Sequence, residues 1–217
     1  DAIAEDDDIV AGSGGGKTAA ADETLFAMLK DLRKKIAKQK SVPPFVVFQD
    51  PSLEDMAIQY PITMDEMKQI VGVGQGKALR FGKEFVDLIK KYVDENEIDR
   101  PMDMVVKSVV NKSGLKVYLI QNIDRKIPFE DLAKAKGISM NDVISEIESI
   151  VSSGTKVNID YYIDDTIDDD KQEEVVDYFK TAETDSVEEA LKELGEEDYT
   201  EEEIRLMRIK FISEMGN

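Results

Sequence analysis

Two glycines followed by a row of cations are the part of this sequence best suited to binding chemistry. Gly72 and Gly74 flank a single valine, and Lys77, Arg80 and Lys83 follow at about one-turn helical spacing. Glycines allow a tight turn between two helices, so that backbone N–H groups at the start of the second helix can point at a phosphate. The spacing therefore predicts phosphate contact. The alternative is a turn that only joins two packed helices.

A second group of cations and one aromatic residue extend this candidate surface. Lys34, Lys35 and Lys38 crowd the end of a predicted helix, where they either balance the helix dipole or face a phosphate. Phe45, which follows two prolines, is a candidate platform for stacking a base of a single strand, worth ~1–3 kcal/mol per base. Phe48 and Phe81 are predicted to be core residues instead.

Composition excludes several kinds of chemistry. The 217 residues include no Cys, His or Trp. Zinc ribbons, iron–sulfur clusters, disulfide frameworks and Ser-His-Asp or Cys-His nucleophiles all need a thiolate or an imidazole and are excluded. Carboxylate runs at 164–165, 168–170 and 196–198 lack the spacing of a calcium loop, so we expect solvated surface and no metal site there.

The charge is strongly acidic but uneven. Asp and Glu number 47 against 28 Lys and Arg, a formal net charge of −19. Residues 158–217 alone hold 21 acidic and 6 basic residues, whereas residues 22–95 hold 12 of each. Nucleic-acid binding rests on cations that neutralise phosphates, so of these two segments only residues 22–95 are a candidate for it, and weak affinity is expected.

The helices that must position these residues follow from apolar periodicity and caps. Leu25, Leu29, Leu32 and Ile36 form one helical stripe. Capping boxes are predicted at Ser52/Asp55, at Thr63/Glu66 before a helix that runs to Gly72, at Ser139/Asp142, at Ser186/Glu189 and at Thr200/Glu203. The segment VPPFVVFQDP is compatible with a strand or with a short helical turn, and a further helix is predicted over 77–92.

Three blocks of the first part resemble a known module. The runs LFAMLKDLRKKIA, VPPFVVFQDPSLEDMA and PITMDEMKQIVGVGQGKALRFGKEFVDLI are similar to an HRDC domain, which RecQ-type helicases and RNase D share near their C-termini. In RecQ-type HRDC domains the residue after the two prolines is often a Tyr tied to single-stranded DNA. Phe45 keeps the ring and lacks the hydroxyl, so the resemblance implies stacking without that hydrogen bond.

The second part reads as a helix-turn-helix. In IPFEDLAKAKGISMNDVISEIESIVSSG the turn lies at Gly137, and Val143, Ile144, Ile147 and Ile150 face inward on the second helix. Strict alternation of apolar residues over 157–163 predicts a strand or wing. The segment resembles the helix-turn-helix domain that follows HRDC in some bacterial RecQ-type helicases. Its second helix exposes acidic and neutral side chains, which favours a scaffold or protein-contact role over base reading.

The expected fold is mainly α: a five-helix HRDC-like bundle plus a helix-turn-helix or winged-helix-like domain with at most a short β element. Residues 1–21 are predicted to be a flexible linker, 22–95 the HRDC domain, 96–110 a connector, and 111–217 the helix-turn-helix domain with acidic C-terminal helices. Within 1–21, AGSGGGKT loosely fits a phosphate loop. The linker interpretation is favoured because no strand precedes it and no βαβ pattern follows.

The resemblance implies the accessory C-terminal region of a bacterial RecQ-type ATP-dependent 3′–5′ DNA helicase acting in DNA repair and recombination. The resemblance implies that ATP, Mg²⁺ and usually Zn²⁺ are bound by upstream parts of the parent protein. The fragment alone is expected to need no cofactor, to catalyse nothing, and to be cytoplasmic and nucleoid-associated without membrane contact. The predicted DNA surface comprises Lys34, Lys35, Lys38, Phe45, Gly72, Gly74, Lys77, Arg80 and Lys83.

Two other functions stay open at this point. The acidic 158–217 face predicts docking to the helicase core or to other proteins. A tail of an RNase D-type nuclease is the third hypothesis, against which the downstream helix-turn-helix argues.

Overall fold

The computed structural model describes residues 20–100 and 113–216, and every regular element in those ranges is a helix. Residues 1–19 of the predicted 1–21 linker, with its phosphate-loop-like string, and residues 101–110 of the predicted connector therefore lie outside the described residues. The first bundle contains α1 (Glu23–Lys40), α2 (Pro44–Val47), α3 (Asp50–Gln59), α4 (Met64–Met67), α5 (Gln75–Lys77), a π-helical turn (Ala78–Gly82) and α6 (Lys83–Asn96). The second contains α7 (Ser113–Asp124), α8 (Phe129–Lys136), α9 (Met140–Ser152), α10 (Asp160–Thr166), α11 (Asp169–Thr181), α12 (Val187–Leu194) and α13 (Glu201–Gly216).

The N-terminus of α1 ties the first bundle together. Asp22 caps α1 by accepting from the Leu25 N–H at 3.0 Å, and the hydroxyls of Tyr60 and Tyr92 donate to the same carboxylate. Burial by itself raises the pKa of Asp22, but these hydrogen bonds outweigh it and hold that pKa below its usual value. The cap thus joins α1 to the end of α3 and to α6. The predicted stripe on α1 is confirmed for Leu25, Leu29 and Ile36, which are buried.

Two predicted helix boundaries in the first bundle are wrong, the N-terminus of α3 and the C-terminus of α4, whereas the predicted N-cap of α4, Thr63, is confirmed. α3 begins at Asp50, and Ser52 and Asp55 do not form its capping box. Instead the Ser52 hydroxyl donates to the Val71 carbonyl at 2.7 Å, and the Asp55 carboxylate accepts from the Val71 N–H at 2.9 Å. Both side chains hold the loop before the glycine turn. That loop exists because α4 ends at Met67, earlier than the predicted end at Gly72.

The helix-turn-helix is confirmed in the second bundle. α8 ends at Gly137 in the left-handed conformation (φ 64°), and the Ser139/Asp142 capping box opens α9 with bonds of 3.0 and 3.2 Å. The inward residues predicted on α9 are buried. α13 runs through the core of this bundle, and its own box, Thr200/Glu203, is also confirmed.

The predicted strand or wing at 157–163 is wrong, because residues 160–166 form α10. Ile159, Tyr162 and Ile163 are buried at i, i+3 and i+4, and the Tyr162 ring stacks on Phe129 at 4.1 Å between centroids. A short alternating pattern that also contains i, i+3 and i+4 apolar positions fits a helix equally well, and packing against α8 selects it. Within the described residues no helix has the length and apolar character needed to cross a bilayer.

Candidate nucleic-acid interface

The α1 cations lie where the sequence predicts an accessible surface. Lys34, Lys35 and Lys38 are exposed on the C-terminal half of α1. An open groove of about 700 Å³ runs beside them, lined by Lys30, Lys34 and Lys38 from α1 and by Lys180 from the end of α11. Asp31 and Glu183 line the same groove. The groove is therefore shared by both bundles and carries an excess of positive charge in an acidic protein.

The glycine turn is present, but the second bundle covers it. Gly72 has φ +71°, a conformation that favours glycine, and it provides the tight turn that the sequence predicts. The N–H groups of Gly74 and Lys77, however, both donate to the carbonyl of Ser153 at the end of α9, at 3.0 and 3.3 Å. The backbone donors predicted to meet a phosphate are thus occupied by a carbonyl oxygen of the protein itself.

Close backbone approach explains the two glycines that follow the turn. A Cβ on Gly74 would lie 2.5 Å from the Ser153 carbonyl oxygen, and one on Gly76 would lie 2.3 Å from the Gly154 carbonyl oxygen. From the other side, a Cβ on Gly154 would lie 2.2 Å from the Lys77 nitrogen. Only residues without a Cβ let the two bundles meet this closely, so in the described arrangement these glycines make a contact between the bundles.

Lys77 is buried rather than exposed. Its side chain is 2% exposed, and its Nζ donates to the Val46 carbonyl in α2. Burial, followed by repulsion from Arg80, lowers the pKa of Lys77 to about 7. The small cavity beside it is lined by Phe45, Phe48, Gln49, Ser52, Gly72, Ser152 and Ile212, without a carboxylate. Lys77 is therefore out of reach of DNA in this arrangement; its Nζ lies 5.3 Å from the ring centroid of Phe81, and no ion pair joins it to a carboxylate of the described residues.

Phe45 is not an exposed platform either. It is 5% exposed, and its ring centroid lies 6.3 Å from Phe179 of α11 and 6.2 Å from Phe211 of α13. The neighbouring Phe48 turns the other way and packs on Phe85 at 4.9 Å in the first bundle. Phe48 and Phe81 are core residues, as predicted. Phe45 of the short α2 therefore packs in the core of the second bundle, and Phe48, the residue that follows α2, packs in the core of the first.

Arg80 and Lys83 remain exposed beyond this interface. Arg80 lies within the π-helical turn at Ala78–Gly82 and Lys83 follows it; both are exposed whereas Lys77 is buried, so the three cations do not form one exposed face. Lys83 is paired with Asp87 at 3.0 Å, one helical turn on. The predicted nine-residue surface is therefore divided: the α1 lysines, Gly72, Arg80 and Lys83 are accessible, Gly74 is half-buried, and Phe45 and Lys77 lie between the bundles.

The second helix of the helix-turn-helix is covered by α13. Arg205 donates to Asn141 at 2.6 Å and to Ser145 at 3.0 Å, and both Arg205 and Arg208 pair with Glu148. These α9 side chains are the ones a recognition helix would offer to a groove. Their engagement supports the scaffold role over base reading.

Sequence reasoning missed a polar contact that crosses between the bundles and the polar contacts on either side of it. Asp185 accepts from the Gln49 side chain, and Arg208 donates to the Asp185 carbonyl at 3.0 Å. Burial raises the pKa of Asp185 despite the opposing effect of Arg208. On the first-bundle side, Arg33 pairs with Asp50 at 2.7 Å. These residues line a cleft of about 600 Å³, and nothing in their local sequence pattern signals it.

Lys77 makes stability depend on pH in a defined window. Its pKa of about 7 in the folded protein lies below the usual 10.5, so the unfolded chain binds more protons between those values. We therefore expect the free energy of unfolding to rise between pH 7 and 9.5, by at most about 1.4 kcal/mol per pH unit. Above that range the raised tyrosine pKa values, about 12 for Tyr60 and Tyr161, reverse the slope.

Urea denaturation at several pH values across this window measures the slope. The Lys77→Met variant, which keeps the length of the side chain without its amine, should be more stable at pH 7 and show a flatter profile. A slope that is unchanged in Lys77→Met would contradict the assignment to Lys77.

Comparison with known proteins confirms the two resemblances. Residues 22–89 match the family model of the HRDC domain, and residues 113–163 match that of the RecQ-1-like helix-turn-helix domain. The chain is 46% identical to the ATP-dependent DNA helicase RecQ of Haemophilus influenzae over 71 residues, which is 33% of this chain and 12% of that protein. For the Bacillus subtilis RecQ the values are 42% over 78 residues, 35% of this chain and 13% of the relative.

A longer match extends beyond one domain. The ATP-dependent helicase wrn-1 of Caenorhabditis elegans is 26% identical over 148 residues, covering 64% of this chain and 14% of that protein. The chain thus spans only a small fraction of the length of these relatives. α11, α12 and α13 lie beyond both matched domain segments. The chain therefore contains a segment that matches an HRDC domain, followed by one that matches a RecQ-1-like helix-turn-helix domain, and part of it is similar to RecQ helicases.

Proposed function

We propose that this chain is the accessory C-terminal region of a RecQ-type ATP-dependent 3′–5′ DNA helicase that acts in DNA repair and recombination, and that its HRDC domain contacts single-stranded DNA weakly. The observation that supports this most is the order of the two domains. ATP and Mg²⁺, and a zinc-bearing segment where present, would be held by the motor of the parent protein. In the described ranges no group of three or more acidic side chains is placed to hold a metal ion.

The accessible cations on α1 support DNA contact on one side of the HRDC domain. Lys34 and Lys38 lie one helical turn apart, and with Lys30 they form a row along the open groove. Such a row follows the phosphates of an extended strand without reading its sequence. Few cations and a strongly acidic remainder predict weak binding with a shallow salt dependence, because each phosphate contact to a single strand contributes only ~0.7 to the slope of log K against log salt.

Replacing Lys34 and Lys38 together by alanine should weaken binding to single-stranded DNA by about fivefold or more at low salt, because two phosphate contacts are lost. The slope of log K against log salt should fall by about 1.4, since each contact to a single strand contributes ~0.7. Fluorescence anisotropy with a labelled oligodeoxythymidylate at several salt concentrations measures both quantities.

The matched control is the double replacement Lys90→Ala/Lys91→Ala, which removes two exposed lysines from α6 of the same domain. The two double variants have the same net charge. An equal loss of affinity in both would show a general charge effect rather than a site, and no binding by the unmodified chain would reject DNA contact.

A docking function is the second candidate, supported by the exposed acidic residues of the second bundle. Four aspartates are exposed at α10 and α11: Asp164, Asp165, Asp169 and Asp170. They are far from the α1 lysines in the sequence and carry the opposite charge. We expect such a face to bind a basic surface, either on the helicase motor or on another protein, with a strong salt dependence.

Deleting residues 158–217 would not test docking cleanly, because α11 and α13 form the core of this bundle. Replacing Asp169 and Asp170 by Asn preserves the fold and removes charge. Weaker binding of this variant to the purified motor at two salt concentrations would support docking, and unchanged binding would count against it. The third hypothesis is that this chain is the tail of an RNase D-type nuclease. Finding a carboxylate-rich exonuclease sequence upstream of it would support that hypothesis and reject the helicase proposal.

A further inference from the structure

The contact between the two bundles covers the HRDC residues best suited to hold a single strand. Phe45, the stacking ring, lies against Phe179 and Phe211. Lys77 lies under the same interface, and the N–H groups of Gly74 and Lys77 bond to Ser153. Phe45 and Lys77 are therefore inaccessible together, and one movement of the second bundle would expose both.

The interface contains features that weaken it. Lys77 is buried at its centre, where the described residues that line the adjoining cavity include no carboxylate, and the buried carboxylate of Asp185 accepts its bond across the interface from an uncharged amide, Gln49. Burying a charged group without an opposite charge opposes association. A cleft of about 600 Å³ also remains between the bundles. An interface maintained only for stability would favour an apolar residue over Lys77.

The direct backbone contact at Ser153 and Gly154 is made without side chains. Gly74, Gly76 and Gly154 approach so closely that any Cβ would collide with backbone atoms of the other bundle. The docked arrangement is consequently sensitive to a single methyl group at these positions. Lys34 and Lys38 are exposed on α1 and remain available in either arrangement.

We propose that the helix-turn-helix bundle acts as an autoinhibitory cover on the HRDC domain, and that its separation exposes Phe45 and Lys77 to a single DNA strand. This inference rests on the proposed function, since it assumes that the HRDC domain binds DNA. The docked state then binds weakly through the α1 lysines alone. The separated state adds a stacked base and a full lysine charge, so DNA and the second bundle compete for the same residues.

Gly76→Ala tests the cover from the HRDC side. Its Cβ would collide with the Gly154 carbonyl, whereas alanine suits the helical backbone of α5 itself. Gly154→Ala produces the same collision from the opposite bundle and leaves the HRDC sequence intact. Gly114→Ala is the matched control, because a Cβ there meets nothing within 4 Å.

Separation is measured directly with one cysteine label at Lys90 and one at Glu193, since the chain contains no native cysteine. The distance between the labels should lengthen or broaden in Gly76→Ala and Gly154→Ala and stay unchanged in Gly114→Ala. Both separated variants should bind labelled oligodeoxythymidylate about tenfold more tightly, within the range expected for one stacked base. Adding Lys77→Met should remove part of this gain and change the affinity of the docked chain little.

The outcomes separate this inference from the function on which it rests. If neither the unmodified chain nor any variant binds DNA, the proposed function fails. If the unmodified chain binds DNA and the separated variants bind it no more tightly, the cover is refuted and the function stands. The cover is also refuted if neither glycine variant alters the label distances, or if Lys77→Met weakens the docked chain as much as the separated one.

Discussion

Replacing Phe45 by alanine is expected to destabilise the second bundle by about 3–5 kcal/mol, although the residue belongs to the first. Its ring is 5% exposed and completes a three-ring cluster with Phe179 and Phe211, which themselves lie 5.7 Å apart. Truncation leaves a cavity lined by those two rings, and the loss of contacts acts on α11 and α13.

Phe81→Ala is the matched control, because Phe81 is equally buried but packs inside the first bundle. Hydrogen exchange followed by mass spectrometry should show weaker protection in α9, α11 and α13 for Phe45→Ala, and in α1 and α6 for Phe81→Ala. The opposite pattern, or identical patterns in the two variants, would contradict the placement of Phe45 between the bundles.

Replacing Glu148 by alanine should cost roughly 3 kcal/mol of folding stability. Glu148 on α9 pairs with both Arg205 and Arg208 of α13, and its side chain is 17% exposed against 14% and 20% for the two arginines. Removing the carboxylate leaves two mostly buried guanidinium groups side by side without their shared counter-charge. Their mutual repulsion then acts against the packing of α13 on α9.

Glu188→Ala supplies the comparison, because Glu188 makes an exposed pair with Lys192 one turn along α12, at 2.8 Å. Exposed pairs contribute little, so the urea midpoint of this variant should match that of the unmodified chain. The prediction for Glu148 is wrong if the two variants lose the same stability. A loss that disappears in high salt would likewise show that Glu148 behaves as a surface residue.

The last helix therefore connects the parts of the molecule. α13 forms the core of the second bundle, covers the polar face of α9 through its arginines, and meets Phe45 of α2. Its final residue, Gly216, lies beside the buried amine of Lys77. All of these roles belong to a helix beyond both matched domain segments, so family resemblance alone does not predict them.

The sequence by itself determined the helices, most of their caps and the two domain types. The boxes at Ser139/Asp142 and Thr200/Glu203 were predictable because a cap joins residues three positions apart. The buried stripes of α1 and α9 follow from the same local geometry, since residues three and four apart share a helical face. The HRDC assignment rests instead on the resemblance of three sequence blocks to that family, and the helix-turn-helix assignment rests on a local pattern together with a resemblance.

Only the tertiary structure decided which candidate residues are accessible. Phe45 and Lys77 were plausible DNA contacts by type and spacing, yet their environments are set by residues far along the chain, such as Phe179, Ser153 and Phe211. The bond between Gln49 and Asp185 spans 136 positions. Periodicity indicates which side of a helix is apolar but not which element will cover it. Here the second bundle covers Phe45 and Lys77, two of the nine residues predicted to contact DNA.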